Sequence, residues 1–166
     1  RPSVETLYAV GNLNGLTPTA RSASAQGLYA VNNIAGVTDP WVKGDEPVVV
    51  YGEPEIAQIG RTESELEADG VAFRSVEAPL TENSTALIRG AGDGFVRILF
   101  EQTYGEVLGV QIFAENASDL IGEAAAMMRF EGTVYDAART AHAHPTISEV
   151  FMDLGRTAGE DIESVT

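Results

Sequence analysis

The two histidines of the chain, His142 and His144, lie within three positions of each other. A proline directly follows His144. Because proline fixes its own φ, lacks an N–H and disfavours helical conformation in the residue before it, a preceding helix should stop here and leave His144 at a bend. Thr146 and Ser148 are candidate caps for a new helix with Glu149 in its first turn. A carboxylate there can fix one ring tautomer and raise the basicity of the other nitrogen, as a general base near neutral pH requires.

Two other interpretations of these residues stay open. His142, His144 and Glu149 supply two imidazoles and a carboxylate, enough for an open catalytic zinc site. Pro145, however, interrupts the regular element that would aim both rings at one point, and the chain has no other histidine and no cysteine. We therefore expect no metal, and expect His142 to pack or hydrogen-bond beside His144. The plain alternative for His144 is a bend histidine that a nearby carboxylate satisfies.

The composition excludes several classes of partner and chemistry. With 25 Asp and Glu against 10 Lys and Arg, the formal charge is -15, which would repel phosphate backbones and anionic lipids. We therefore expect no nucleic acid and no membrane partner. No run of about 18 apolar residues could span a bilayer, and no charged-then-apolar leader opens the sequence, so we expect a cytoplasmic protein. The absence of cysteine excludes disulfides, thiolate ligands and a cysteine nucleophile on this chain.

The first quarter of the chain has the pattern of half a nucleotide-binding unit. Residues 6–12 form a short apolar run that ends in glycine, typical of a buried strand entering a tight turn. A polar helix is predicted from Pro18 to Ile34, closing at Gly36. Strand, glycine turn and helix in this order are a weak signal for nucleotide binding, and a connecting strand and helix without ligand is the alternative. Residues 36–47, rich in Gly, Pro and Asp, are predicted to be a linker.

The rest of the chain predicts strands followed by helices. Strands are expected at 47–51, 55–60, 71–80, 95–100 and 107–113, the last two as a hairpin. Helices are expected from the capping box Thr62–Glu65 to Gly70, from the cap Asn116 to the stop Gly132, from Thr133–Asp136 to Pro145, and from Ser148 to about Gly159. Residues 81–94 should form a loop with one turn of helix. This order predicts an α+β fold, an antiparallel sheet covered on one side by helices.

The helix after Asn116 is apolar nearly all round between Ala124 and Met128. A helix that faces solvent on one side does not need this pattern. A second covering partner would explain it, and we prefer burial in a dimer.

The string His142 to Glu149, His-Ala-His-Pro-Thr-Ile-Ser-Glu, resembles the C-terminal signature of the FAD-dependent pyridine nucleotide-disulfide oxidoreductases, in its form closest to the dihydrolipoyl dehydrogenase branch. The string from Pro54 to Glu63 resembles the opening of the family's interface domain. The resemblance spans residues 6 to about 158 and implies the same α+β fold. It implies that His144 is the acid/base and Glu149 orients it. It further implies a cis bond before Pro145, which lies beside the cofactor.

The resemblance also assigns roles to the first quarter, as the closing piece of an FAD domain. There an Ala-x-Gly-Asp motif presents its aspartate to the ribityl chain of the flavin, and this chain has Gly11 and Asn12 at the last two positions. Ala20 falls where the family contacts the isoalloxazine through its backbone, and Arg21 stands where histidine is usual. The implied organisation is an FAD-domain remnant with linker over 1–40, a dimerisation domain over 41–159 and a disordered tail over 160–166.

In a family member of this kind, two chains form a homodimer and each His144 enters the active site of the other subunit. It would take a proton from a dithiol such as a lipoyl group, with FAD and NAD as the cofactors of the intact enzyme. This chain has neither the redox-active cysteine pair nor a G-x-G-x-x-G fingerprint. We therefore expect the fragment alone to be inactive and to bind no cofactor. A free-standing dimerisation module or decayed homologue, and a glutathione reductase-like relative, remain alternatives.

Overall fold

The structure, a computed structural model, describes residue 4 and residues 7–16, 18–37 and 46–164. The chain divides into two compact units, Arg1–Glu46 and Pro47–Thr166. The predicted boundary after residue 40, like most of the predicted linker, falls in residues 38–45, outside the described residues. The domain limits therefore stay a prediction.

The first unit contains one helix of the predicted length. Helix α1 is Ala20–Ile34, and the Thr19 side chain caps it by accepting the Ser22 N–H. The helix is followed by Gly36 at φ +76°, a left-handed conformation that glycine adopts at no steric cost. The helix prediction is confirmed to within two residues.

The predicted strand at 6–12 is wrong. Within the described residues of this stretch there is no sheet pairing, and Gly11–Asn14 form a 3₁₀ turn. A lone extended segment has no neighbouring strand to take its backbone hydrogen bonds. The Gly11 N–H instead donates to Oε1 of Gln26, 2.7 Å away, and Leu7 and Val10 are exposed.

The second unit is built on a five-stranded antiparallel sheet in the order β1-β2-β5-β4-β3. The strands are β1 Val48–Val50, β2 Glu55–Gly60, β3 Phe73–Pro79, β4 Phe95–Glu101 and β5 Val107–Ala114. Each predicted strand, and the hairpin of β4 and β5, is confirmed to within two residues.

Alternation along the strands gives the sheet one apolar face and one mixed face. Val96, Ile98 and Phe100 of β4 are buried on the first face, as is Ile112 of β5. Helices α4, Ala117–Arg129, and α6, Glu149–Glu163, pack against strands of this sheet. Full burial of one such side chain contributes about 1.5–3 kcal/mol, so this layer holds the unit together. The predicted α+β fold, with helices on one side, is confirmed.

Two of the helices begin at capping boxes. Helix α2, Glu63–Ala68, starts at the Thr62–Glu65 box, and α5, Val134–Arg139, starts at the Thr133–Asp136 box, both as predicted. The remaining helix, α3, is Ser84–Arg89 and follows a 3₁₀ turn, Leu80–Glu82.

The predicted side-chain cap by Asn116 is wrong. Asn116 lies at φ +61° and makes no capping bond. Oε2 of Glu55 accepts the Ser118 N–H at 2.8 Å instead, which lowers the pKa of Glu55. At the other end of α4 the left-handed residue is Glu131, φ +54°, rather than Gly132.

The last two helices also end elsewhere than predicted. Helix α5 stops at Arg139, before Pro145, because Thr140 is already extended and its hydroxyl donates to the Asp136 carbonyl at 2.8 Å. Helix α6 continues to Glu163, so the predicted disordered tail is wrong over 160–163. The cause is long-range burial, since Ile162 packs into the core.

A glycine contact ties α5 to α6. A Cβ placed on Gly155 would lie 2.5 Å from the Ala138 nitrogen and 2.6 Å from the Val134 carbonyl oxygen. The two helices therefore approach closely, and the segment between them, residues 140–148, is anchored at both ends. We call this segment the histidine loop. No helix among the described residues is both long enough and apolar enough to cross a membrane.

Candidate functional site

The histidine loop holds His144 at a bend, as the proline predicts. The peptide bond between His144 and Pro145 is cis, which confirms the expectation that the resemblance carried. Pro145 and His144 are both exposed. The side chain of His144 keeps 77% of its surface accessible, whereas that of Glu149, at the start of α6, keeps only 18%.

One carboxylate organises the bend. Oε1 of Glu149 lies 2.9 Å from Nδ1 of His144, and Oε2 accepts the Thr146 N–H at 2.8 Å. An ionised carboxylate only accepts hydrogen bonds, so Nδ1 of the neutral ring must carry the proton and Nε2 is left as an acceptor. The exposed ring therefore offers a basic nitrogen to its surroundings.

The charge state of Glu149 supports that arrangement. The Thr146 N–H, and after it the hydrogen bond from His144, hold the pKa of Glu149 below its usual value. The carboxylate is thus ionised at neutral pH. A negative charge beside Nδ1 stabilises the imidazolium that forms when Nε2 takes up a proton.

Thr146 is the structural centre of the loop. Its hydroxyl donates to the Ala143 carbonyl oxygen at 2.7 Å, and its carbonyl oxygen accepts from Nδ2 of Asn83 at 3.1 Å. Asn83 was not among the residues predicted for the site. Its local signal is that of a helix cap, and the contact to Thr146 joins residues 63 positions apart, which no local pattern shows.

His142 is held differently. Its side chain is only 6% exposed, and its Nε2 lies 2.7 Å from Oε1 of Glu123 in α4. Its Nδ1 is buried and has no hydrogen-bond partner among the residues that the structure describes. This agrees with a packing or hydrogen-bonding role beside His144.

The zinc alternative needed both histidines and Glu149 to converge. The two rings instead bond to different carboxylates. Across residue 4 and residues 7–16, 18–37 and 46–164, no group of three or more His, Cys, Asp or Glu side chains is placed to hold a metal ion.

Three of the four residues predicted to contact flavin lie in the first unit, and the fourth, Pro145, lies in the histidine loop of the second unit. Gly11 is buried with its N–H bonded to Gln26, Asn12 is exposed on the 3₁₀ turn, and Ala20 is the exposed first residue of α1. The Asn12 amide suits a ribityl hydroxyl, and a backbone N–H in the first turn of a helix suits a carbonyl oxygen or a ring nitrogen. These donors fit a flavin, and their roles stay predictions.

Comparisons with known proteins agree with this fold. Residues 46–154 match the family model described as pyridine nucleotide-disulphide oxidoreductase, dimerisation domain. The chain is 38% identical over 147 residues to the dihydrolipoyl dehydrogenase of Cupriavidus necator, covering 89% of this chain and 31% of that protein. It is 34% identical over 158 residues to the dihydrolipoyl dehydrogenase of Bacillus subtilis, covering 95% and 34%.

Two solved structures share the fold of this chain. LpdA from Mycobacterium tuberculosis superposes with a TM-score of 0.84 at 32% identity, over 90% of this chain and 33% of that one. The flavoprotein disulfide reductase RclA from Escherichia coli has a TM-score of 0.77 at 17% identity over 90% and 35%, which shows the fold alone. The chain spans about a third of the length of these relatives. With residues 46–154 forming its dimerisation domain, the chain belongs to the pyridine nucleotide-disulphide oxidoreductase family.

Proposed function

We propose that this chain provides the dimer interface and the acid/base histidine of a disulfide oxidoreductase of the dihydrolipoyl dehydrogenase kind. The observation that carries the proposal is the exposed ring of His144, whose Nδ1 bonds to an ionised carboxylate and whose Nε2 is left to accept a proton. The names of the relatives at 34–38% identity support the choice of a dithiol such as dihydrolipoamide as substrate.

The chemistry needs such a base. A thiol with an ordinary pKa near 8.5 is mostly protonated at pH 7, whereas only the thiolate attacks a disulfide. Nε2 of His144 would accept the proton of one substrate thiol as that sulfur bonds to one sulfur of the disulfide. The S–S bond of the disulfide would break, and its other sulfur would leave as a thiolate. Glu149 would hold the ring in the required tautomer and stabilise the resulting imidazolium. Because this chain has no cysteine, the disulfide must be supplied by another part of the intact enzyme.

Asn12 and the backbone of Gly11 and Ala20 would hold part of the FAD of their own subunit, whereas Pro145, next to His144, would lie beside the FAD of the other subunit. A flavin supplies an acceptor for the electron pair of the dithiol, and NAD carries the electrons away. We place these cofactors in the intact enzyme and expect none to bind the fragment.

The proposed partner is a second copy of the chain. Phe130, directly after α4, is exposed, as is Ala126 on α4, while Met127 and Met128 are only half-buried. An apolar face of this kind on a helix supports burial against a partner. A ring as exposed as His144 is likewise suited to act outside its own subunit.

A dimerisation module without chemistry is the second candidate. It is favoured by Asn12 and Arg21, which stand where the family has aspartate and usually has histidine. The two candidates differ in one measurable respect, the effect of His144 on turnover.

The test is a chimera in which this chain replaces the matching third of the Cupriavidus necator dihydrolipoyl dehydrogenase. Flavin absorbance and solution mass report whether the chimera is assembled, and dihydrolipoamide oxidation is measured. We expect His144→Gln to lower kcat by about 10²- to 10⁴-fold, the usual contribution of a general base. His142→Gln is the control and should lose far less. An assembled chimera in which His144→Gln turns over within about threefold of the parent would overturn the proposal.

A further inference from the structure

Asn83 connects helix α3 to the histidine loop through a single amide group. Its Oδ1 accepts the Ala86 N–H at 3.0 Å and so caps α3. Its Nδ2 donates to the carbonyl oxygen of Thr146 at 3.1 Å and lies 3.5 Å from that of Ile147. The acceptor half of the amide therefore serves the helix, and the donor half serves the loop.

Thr146 transmits this contact to the acid/base pair. Its carbonyl oxygen is held by Asn83, and its N–H donates to Oε2 of Glu149 at 2.8 Å. The other oxygen of the same carboxylate bonds to Nδ1 of His144. A carboxylate bonded through both oxygens cannot rotate about its terminal torsion, so the direction of the Thr146 N–H sets the direction in which Oε1 points.

We propose that Asn83 is a positioning residue for His144. By holding the Thr146 carbonyl it restricts the φ and ψ torsions of Thr146 and so keeps the N–H of the preceding peptide plane aimed at Glu149. This keeps the proton of the neutral His144 ring on Nδ1 and leaves Nε2 as the acceptor. The relevance to turnover rests on the proposed function of His144, whereas the effect on the ring tautomer does not.

The chemistry of asparagine allows the two roles to be separated. Asn83→Asp keeps the size of the side chain and the acceptor that caps α3, and a negative charge at a helix N-terminus is favourable. An ionised carboxylate, however, cannot donate and would face the Thr146 carbonyl oxygen. Asn83→Asp therefore removes the loop contact and retains the cap, so the protein should stay folded.

The first experiment is ¹⁵N NMR of the histidine side chains in the full chain, at a pH where both rings are neutral. The protein has only two histidines, and His142, whose Nε2 bonds to Glu123, is an internal reference. We expect Asn83→Asp to reduce the Nδ1–H tautomer of His144 by at least about half, to speed hydrogen exchange of the Thr146 amide about tenfold, and to leave His142 unchanged. Thr62→Ala, which removes the cap of α2, is the control for general loosening and should shift neither ring.

Two results would overturn the proposal. One is an Asn83→Asp protein whose His144 tautomer and Thr146 exchange match the parent. The other is an equal shift of both histidines, which would show that the whole loop has loosened.

A second experiment separates this proposal from the function on which it rests. In the chimera we expect Asn83→Asp to lower kcat about tenfold, with a smaller change in KM. If the tautomer shifts but His144→Gln remains active, the positioning role stands and the base role fails. If His144→Gln is inactive but Asn83→Asp changes neither tautomer nor kcat, the base role stands and the positioning role fails.

Discussion

His142 and His144 lie two residues apart in one loop, and each is bonded to one glutamate, yet they are presented in opposite ways. His142 is buried and bonds through Nε2 to Glu123, whereas His144 is exposed and bonds through Nδ1 to Glu149. The nitrogen that remains is inaccessible in the first case and accessible in the second. What distinguishes a structural histidine from a potential base here is therefore the accessibility of its second nitrogen, and not the carboxylate beside it.

The two glutamates also differ, both in the helix that carries each of them and in the groups that each carboxylate bonds. Glu123 belongs to α4, and its hydrogen bond to His142 connects the histidine loop to that helix. Glu149 begins the helix that follows the loop and divides its oxygens between His144 and the Thr146 N–H. Changes to Glu123 should therefore affect stability first, and changes to Glu149 should affect chemistry first.

The largest expected effect is that of Glu149→Gln on turnover. A glutamine side chain has one acceptor oxygen and cannot serve both His144 and Thr146, so Nδ1 of His144 loses its fixed partner. A comparable exchange of carboxylate for amide behind a catalytic histidine lowers kcat by about 10⁴-fold in a serine protease, because the histidine then adopts the wrong tautomer. We expect kcat of the chimera to fall by about 10²- to 10⁴-fold. If kcat falls less than about threefold, Glu149 does not orient the base.

Gly155→Ala should disturb both histidines together. Its Cβ would meet the backbone of Ala138 and Val134 in α5, and backbone cannot yield as a flexible side chain can. Overpacking of this kind costs about 1–3 kcal/mol, which denaturant unfolding measures. Because α5 and α6 carry the two ends of the histidine loop, we expect both side-chain spectra to shift. Gly122→Ala is the control, since nothing lies within 4 Å of its added Cβ.

Glu123→Ala should destabilise the protein without changing the tautomer of His144. It would leave Nε2 of the His142 side chain, which is only 6% exposed, without its carboxylate, and an unsatisfied buried polar group costs about 1–3 kcal/mol. Denaturant unfolding should show this loss. A His144 spectrum that moves as much as that of His142 would contradict the separation between the two rings.

The smallest expected effect is on the pH dependence of stability. The pKa of Glu149 is lowered in the folded protein by the Thr146 N–H and by His144. A lowered pKa contributes stability that is fully present above the ordinary value of 4.5 and is lost as pH falls through the folded value. Denaturant unfolding between about pH 6 and pH 3 should therefore show a smaller loss in Glu149→Gln than in the parent. Equal slopes would show that the carboxylate gains nothing from its partners.

The bend, His144 and Glu149 could be predicted because the information is local. A proline directly after the histidine and an acid five positions on determine the geometry of a single turn. Glu123 and Asn83 could not be predicted in the same way, since they reach the loop from 19 and 63 positions away. Those contacts depend on how α3 and α4 pack, which sequence spacing does not encode.

The predicted strand at 6–12 and the predicted disordered tail were wrong for the same reason. The apolar run at 6–12 has the composition of a strand, but a strand also needs a neighbour, and the Gly11 N–H bonds to Gln26 instead. The acidic end of the chain suggests disorder, yet Ile162 is buried in the core and extends α6 to Glu163. Both outcomes depend on tertiary contacts that override local propensity.

The most direct measurement is the tautomer of each histidine, read from ¹⁵N side-chain spectra of the unmodified chain when both rings are neutral. We predict Nδ1–H for His144 and Nε2–H for His142. Finding Nε2–H on His144, so that its exposed nitrogen holds a proton instead of accepting one, would contradict its assignment as the base.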